Sequence, residues 1–281
     1  MPDARVTLGQ LRSEWSSCTR CDLGVQRVNN QGKFVFGQGK PRSIMFIGEG
    51  PGVEEDETGV PFIGKSGDLL RKILAKLGVT DFYISNLVAC RSCEPVLDEH
   101  GQPRFRKRKY GPAIPMMKDL PPTPVQWKAC LPRLQEEIYL VDPIVIVSLG
   151  GTAGEALTGG HLTITRDRGE MATIEIPGAG QVAQLTEKKQ VWYRKVGGVV
   201  VAPVEQATVR YSLIPTLHPS FVLRKIADRG HDSPFQRLVE DIRQAVKIYE
   251  FYMKEVFQKM PTGESDTSYE DIDNYFSGEE T

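Results

Sequence analysis

No apolar run in this chain approaches the roughly 18–20 residues that a membrane-crossing helix requires, and the N-terminus lacks the basic-then-apolar pattern of a signal segment. The expectation is a cytoplasmic protein with no membrane partner. Cysteine is scarce: Cys18, Cys21, Cys90, Cys93 and Cys130 are all there is. In a cytosolic chain that argues against a disulfide framework. There is no internal repeat. The last stretch, residues 262–281, has seven carboxylates and no Lys or Arg. Without those seven carboxylates the net charge of -1 becomes +6, a sign suited to an anionic polymer.

What is present fits one medium-sized globular domain. The 281 residues are 40% hydrophobic and 25% charged, enough to bury a core. Two of the cysteine spacings, Cys18-Thr19-Arg20-Cys21 and Cys90-Arg91-Ser92-Cys93, are C-x-x-C pairs, which usually read as a metal or cluster site. Composition alone does not separate zinc from iron–sulfur.

The most informative stretch is Gly48-Glu49-Gly50-Pro51-Gly52, directly after the apolar run Ile44-Met45-Phe46-Ile47. A strand that stops at a glycine-rich loop and leads into a helix is where open α/β sheets hold ligands. Ile214-Pro215-Thr216-Leu217-His218-Pro219-Ser220 repeats the arrangement with a histidine in the loop. Two such loops on adjacent strands make one cleft.

Periodicity predicts helices over 8–17, 66–77, 124–141, 152–157 and 234–260, and strands over 34–37, 43–47, 82–86 and 144–148. Continuous apolar strands alternating with helices imply a parallel sheet covered on both faces. Residues 94–123 are polar and Pro-rich and carry the basic run Arg104 to Lys109. Residues 162–210 alternate in β fashion and read as an added hairpin system. Residues 1–260 read as one domain with these two insertions, and 261–281 as an acidic tail without order.

Seven stretches in order resemble the family-four uracil-DNA glycosylases, the iron–sulfur branch of that superfamily. They are Cys18 to Leu23, Phe46 to Gly52, Glu55-Asp56 with Thr58 to Gly64, Tyr83 to Arg91, Cys130 to Leu134, Ile146 to Gly150 and His218 to Arg224. The resemblance implies a three-layer α/β/α fold with a central, mainly parallel sheet. It implies an enzyme that flips uracil out of DNA and hydrolyses its glycosidic bond. It implies a 4Fe–4S cluster on Cys18, Cys21, Cys90 and Cys130, four thiolates being the ordinary ligand set. A set with Cys93 in place of Cys90 or Cys130 stays open.

By the same resemblance the glycines Gly48, Gly50 and Gly52 shape the substrate loop and Phe62 stacks on the base. Asn86 pairs with the uracil edge, and His218 donates to O2 as the base leaves. Gly50 stands where some glycosylase families have a water-positioning aspartate, so Glu49 beside it takes a supporting catalytic role. Ser220 and Arg224 are candidates for phosphate contact, and Arg106 and Lys107 for DNA contact from the basic run. In crosslinking relatives a basic insertion carries a histidine that captures the sugar. Arg104 to Lys109 contains none, so covalent capture is not expected.

The bland readings are a core phenylalanine, a strand-end asparagine turn and a buried loop histidine; the flanking Pro and Gly favour the pocket for Phe62, and the family register favours the functional reading of Asn86 and His218. Gly59 to Ser66 matches the P-loop pattern, but no buried strand precedes it. The alternative from another class is a non-catalytic DNA-binding or repair scaffold protein, with the acidic tail serving a protein partner. Otherwise the chain reads as a monomer acting on uracil-containing DNA.

Overall fold

The computed structural model describes residues 7–107, 113–160, 162–177, 181–186, 189–196, 199–201, 208–225 and 233–256. The acidic stretch 261–281 and the last two residues of the basic run, Arg108 and Lys109, lie outside the described residues.

Two short helices, α1 (Leu8–Trp15) and α2 (Asp22–Asn29), lead to an edge strand β1 (Gln38–Gly39) and then to β2 (Ile44–Gly48). Helices α3 (Val53–Thr58) and α4 (Lys65–Lys76) follow, then β3 (Phe82–Asn86). An arm of short strands comes next: β4 (Cys93–Pro95), β5 (Phe105–Arg106), β6 (Ile114–Pro115) and β7 (Met117–Asp119). Helix α5 (Pro124–Val141), strand β8 (Val145–Leu149) and helices α6 (Gly151–Leu157) and α7 (Ile164–Asp167) continue the chain. Then come β9 (Ala172–Pro177), β10 (Gln181–Thr186), β11 (Lys189–Val196), β12 (Val199–Val201) and β13 (Thr208–Thr216). Helices α8 (Pro219–Arg224) and α9 (Pro234–Phe251) complete it, the latter running into a π-helical turn at Tyr252–Val256.

The central sheet has the order β1-β3-β2-β8-β13-β9. Its four inner strands are parallel, and the two edge strands run antiparallel. Every residue of β2 and β8 is buried, which is why both read as unbroken apolar runs. Successive side chains go to opposite faces. Ile44 and Phe46 join Leu70, Ile73 and Leu74 of α4 and Leu238 and Ile242 of α9. Met45 and Ile47 join Leu131, Leu134 and Ile138 of α5. The result is the expected three-layer α/β/α stack, and Phe46→Ala would cost about 3–5 kcal/mol by opening its core. Among the described residues no helix is long and apolar enough to cross a membrane.

Two local expectations change. Residues 34–37 are not a strand. The Val35 N–H donates to the Ala89 carbonyl (2.9 Å) and the Gly37 N–H to the Glu137 carboxylate (3.0 Å). With a loop carbonyl and a side chain as partners no ladder forms, and pairing starts only at Gln38. Segment 162–210 is only partly a separate hairpin system. β9 and β13 extend the central sheet, while β10, β11 and β12 form their own antiparallel sheet. The P-loop-like stretch follows helix α3 rather than a strand, so the match carries no phosphate cradle.

All parallel strands end on one side. From β2 the chain passes first to β3 on one flank and then to β8 on the other, and open sheets place ligands at such a reversal.

Candidate active site

A cleft of about 660 Å³ lies at those strand ends, bounded by Glu49 to Glu55, Phe62, Asn86 and His218, with Ser220 and Arg224 at its side. The chain reaches it from three strands, β2, β3 and β13; the glycine loop and the His218 loop, expected on adjacent strands, follow β2 and β13, which β8 separates. β2 stops at Gly48, whose missing side chain leaves space that its neighbours fill: an added Cβ would stand 2.4 Å from Phe62 Cζ and 2.6 Å from Asn86 Oδ1. Glycine is needed here because two pocket walls converge on its Cα.

Phe62 is buried, with φ of +55°, a conformation rare outside glycine. What holds it there is Glu55. Its Oε1 accepts from the N–H groups of Ile63 (2.9 Å) and Gly64 (3.0 Å), and its Oε2 from that of Gly52 (3.0 Å). One carboxylate thus ties the Gly48–Gly52 loop to the loop carrying Phe62. Sequence reasoning listed Glu55 only as part of a motif. It sits in an acidic run, and its N–H partners lie up to nine positions away.

Asn86 ends β3 and is 2% exposed, with no hydrogen-bond partner for Oδ1. A buried amide oxygen left unmatched costs about 1–3 kcal/mol, so it marks a place where a donor is expected. His218 caps α8. Its Nδ1 accepts from the Ser220 N–H at 3.1 Å and lies 2.8 Å from Ser220 Oγ. With Nδ1 an acceptor, the proton of the neutral ring sits on Nε2. Burial, and then the Arg224 charge, lower the His218 pKa from 6.5 to about 4, so the ring is neutral at pH 7. Arg224 in turn donates to Ser220 Oγ (3.3 Å). The Phe62 and His218 rings are 6.3 Å apart between centroids.

Glu49 lines the cleft, and its Oε2 accepts from the Thr152 hydroxyl (2.6 Å) at the start of α6. Gly50 and Gly52 line it too. Arg106 belongs to β5 of the arm, and Lys107, next to it, is exposed and outside the cleft lining. Ser92, Asp119 and Leu120, where the arm joins the body, do line it, which nothing in their sequence pattern announced.

Cys18, Cys21, Cys90 and Cys130 border one small pocket between α2, α5 and the loop after β3. Cys93 is elsewhere, in β4 beside a different cleft with Arg91 and Phe105. Burial pushes the Cys90 thiol up to about 12, with Cys130 adding to the rise. Arg27 donates to the Cys18 carbonyl (3.2 Å), and its Nε is buried without a partner. At Gly24 an added Cβ would lie 2.6 Å from the same carbonyl, so only glycine lets the first cysteine loop pass this close. Among the described residues no three Cys, His, Asp or Glu side chains form a site for a single metal ion.

The model of the uracil DNA glycosylase superfamily matches residues 34–243. The chain is 33% identical over 233 residues to the Type-4 uracil-DNA glycosylase of Thermotoga maritima, covering 81% of this chain and 87% of that protein. To the Type-4 uracil-DNA glycosylase of Pyrobaculum aerophilum it is 30% identical over 228 residues, 80% and 89% of the two chains. To the one of Archaeoglobus fulgidus it is 31% identical over 176 residues, 60% and 74%.

Proposed function

Since the chain belongs to the uracil DNA glycosylase superfamily, we propose that it excises uracil from DNA by hydrolysing the bond between base and deoxyribose. A base inside a duplex is out of reach, so the nucleotide is turned out into the cleft. The unmatched Oδ1 of buried Asn86 carries this reading. Uracil brings the missing donor at N3–H, while the Asn86 amide N–H donates to O4. Cytosine presents the reverse pattern at those atoms and is refused. Phe62 supplies the flat face.

As the bond from N1 to C1′ lengthens, its electron pair moves into the uracil ring and negative charge collects on O2. The neutral His218, with its proton on Nε2, donates a hydrogen bond to that oxygen. This stabilises charge that exists only near the transition state. The sugar is left as a cation-like centre. Glu49, held by Thr152 at one oxygen, orients a water toward C1′. Water oxygen bonds to C1′, its proton passes to solvent or to the departing uracil, and an abasic site remains.

Residues 1–260 make up the glycosylase domain in this reading, and Ser220 and Arg224 face the DNA backbone. The four cysteines around one pocket fit a 4Fe–4S cluster: the donor set is right, Arg27 Nε is an unused donor beside it, and Gly24 leaves the approach open. When bound, such a cluster would tie the N-terminal segment to α5 and the β3 loop.

The test is base release from three oligonucleotides that differ only in one U, C or T. Free uracil with an alkali-labile site from the first alone is expected. Binding without release from any of them would replace the enzyme by a DNA-binding scaffold.

A further inference from the structure

Helix α5 places Cys130, Arg133 and Glu137 on one face, at spacings of three and four residues. Arg133 and Glu137 are fully buried and paired. Glu137 also accepts from the Tyr83 hydroxyl (2.9 Å), the Ser85 hydroxyl (2.9 Å) and the Gly37 N–H (3.0 Å). Arg133 is less occupied with its partner than with the end of β3. Nη2 donates to the backbone carbonyls of Asn86 (2.6 Å) and Leu87 (2.9 Å), and it lies 3.6 Å from Cys130 Sγ. Nη1 reaches Ser85 Oγ (3.3 Å).

A buried ion pair is a poor means of stabilising a fold, because the desolvation of two charges offsets most of their attraction. The placement of the donors is more telling. The carbonyls of Asn86 and Leu87 lie just past the last rung of the ladder. From the other side the Leu87 N–H donates to the Gly48 carbonyl (2.8 Å). Arg133 therefore fixes the backbone of the one residue whose buried amide oxygen waits for the base. The same nitrogen touches a sulfur of the cysteine pocket.

We propose that Arg133 is a positioning residue joining the two sites: it sets the Asn86 amide from behind and takes its own position in part from Cys130. The inference rests on the glycosylase and cluster readings above. It deepens them, because the cysteine pocket then bears on base recognition and not only on holding the N-terminal segment.

The experiment uses the full chain, purified without oxygen, as wild type and Arg133→Lys. A lysine keeps the charge but offers one nitrogen where the guanidinium offers a fork. Should that variant not fold, Arg133→Met/Glu137→Gln removes both charges together and keeps an acceptor oxygen for Gly37 and Tyr83. Four quantities are read: the absorption of the cluster in the region of about 400 nm, kcat and KM on a single-U oligonucleotide, and the thermal midpoint. The expected result is a changed absorption band and a kcat lower by roughly tenfold to a hundredfold, the usual effect of losing a group that orients a site from behind, with KM little altered. A lower thermal midpoint with unchanged band and kcat would reduce Arg133 to a structural role and overturn the inference. Lost kcat with an unchanged band would also overturn it, since the link to Cys130 is then absent. A wild type that is colourless or inactive refutes the underlying readings themselves, so the two kinds of failure are told apart by the wild-type measurement.

Discussion

A methyl group on Gly48 should damage the pocket far more than the fold. The added Cβ of Gly48→Ala would lie 2.4 Å from Phe62 Cζ, 2.7 Å from Phe62 Cε2 and 2.6 Å from Asn86 Oδ1. Ordinary carbon contacts begin near 3.5 Å, so a wall must retreat by about 1 Å. Neither wall moves easily. Phe62 is buried at a positive φ held by Glu55, and Asn86 is fastened through its carbonyl to Arg133. Overpacking of this kind costs about 1–3 kcal/mol, or roughly 2–4 °C of thermal midpoint per kcal/mol in a domain of this size. A misplacement of about 1 Å in a catalytic site costs on the order of a hundredfold in rate. The assay is single-turnover uracil release well below the midpoint, with a thermal melt alongside. Gly9→Ala is the control, because its Cβ, at an exposed position of α1, meets only Thr7 Oγ1 at 3.8 Å. It should be active and as stable as wild type or slightly more so. Release by Gly48→Ala within about threefold of wild type would refute the placement of Phe62 and Asn86 as pocket walls.

Further outcomes follow from other contacts. His218 stays neutral down to about pH 4, so uracil release should hold from pH 8 to pH 5 and fall only toward 4; an acid limb near 6.5 would contradict the half-buried, neutral ring. The sign for stability is the same: between 6.5 and about 4 the unfolded chain takes up a proton that the folded ring refuses, so the melting midpoint should drop across that window. Arg224→Ala removes a charge that lowers this pKa and should move the acid limb upward. Glu55→Ala leaves three N–H groups without their acceptor, at about 1–3 kcal/mol, and frees the Phe62 loop; unchanged melting and kcat would remove Glu55 from the account. Cys21→Ser should lose iron and melt lower, whereas Cys93→Ser should keep its iron, because Cys93 stands at another cleft; full iron in Cys21→Ser would break the assigned ligand set.

Sequence made the sheet legible where burial on both faces leaves no choice of residue. The apolar run of β2 with the glycines at its end and the loop carrying His218 pointed to the cleft before any coordinates, although β8 stands between the two strands that were expected to be neighbours. Helix α5 was equally plain, because Thr123 caps it, Pro124 opens it and Gln126 closes the capping box. The buried polar residues were not legible. Nothing in the sequence singled out Arg133 and Glu137, four apart on a helix, and only the position of the β3 carbonyls shows why they are inside. Glu55 was hidden by its acidic neighbours. Residues 34–37 misled for the opposite reason: Phe34, Val35 and Phe36 are apolar, yet the Val35 and Gly37 amides bond to a loop carbonyl and a carboxylate rather than to a strand. The choice between Cys90 and Cys93 could not be made from spacing, since both belong to one C-x-x-C pair, and only the turn after β3 sends them to different pockets.

The most direct test of the central claim is uracil release from a labelled oligonucleotide carrying one U, for wild type, His218→Ala and Asn86→Ala. The account predicts release by wild type and a fall of roughly a hundredfold to a thousandfold when the donor to the developing oxyanion is removed, with a comparable loss for Asn86→Ala. Wild-type protein that holds its cluster yet releases no uracil from single-stranded, U:G or U:A substrates would contradict it, as would variants that release uracil as fast as wild type.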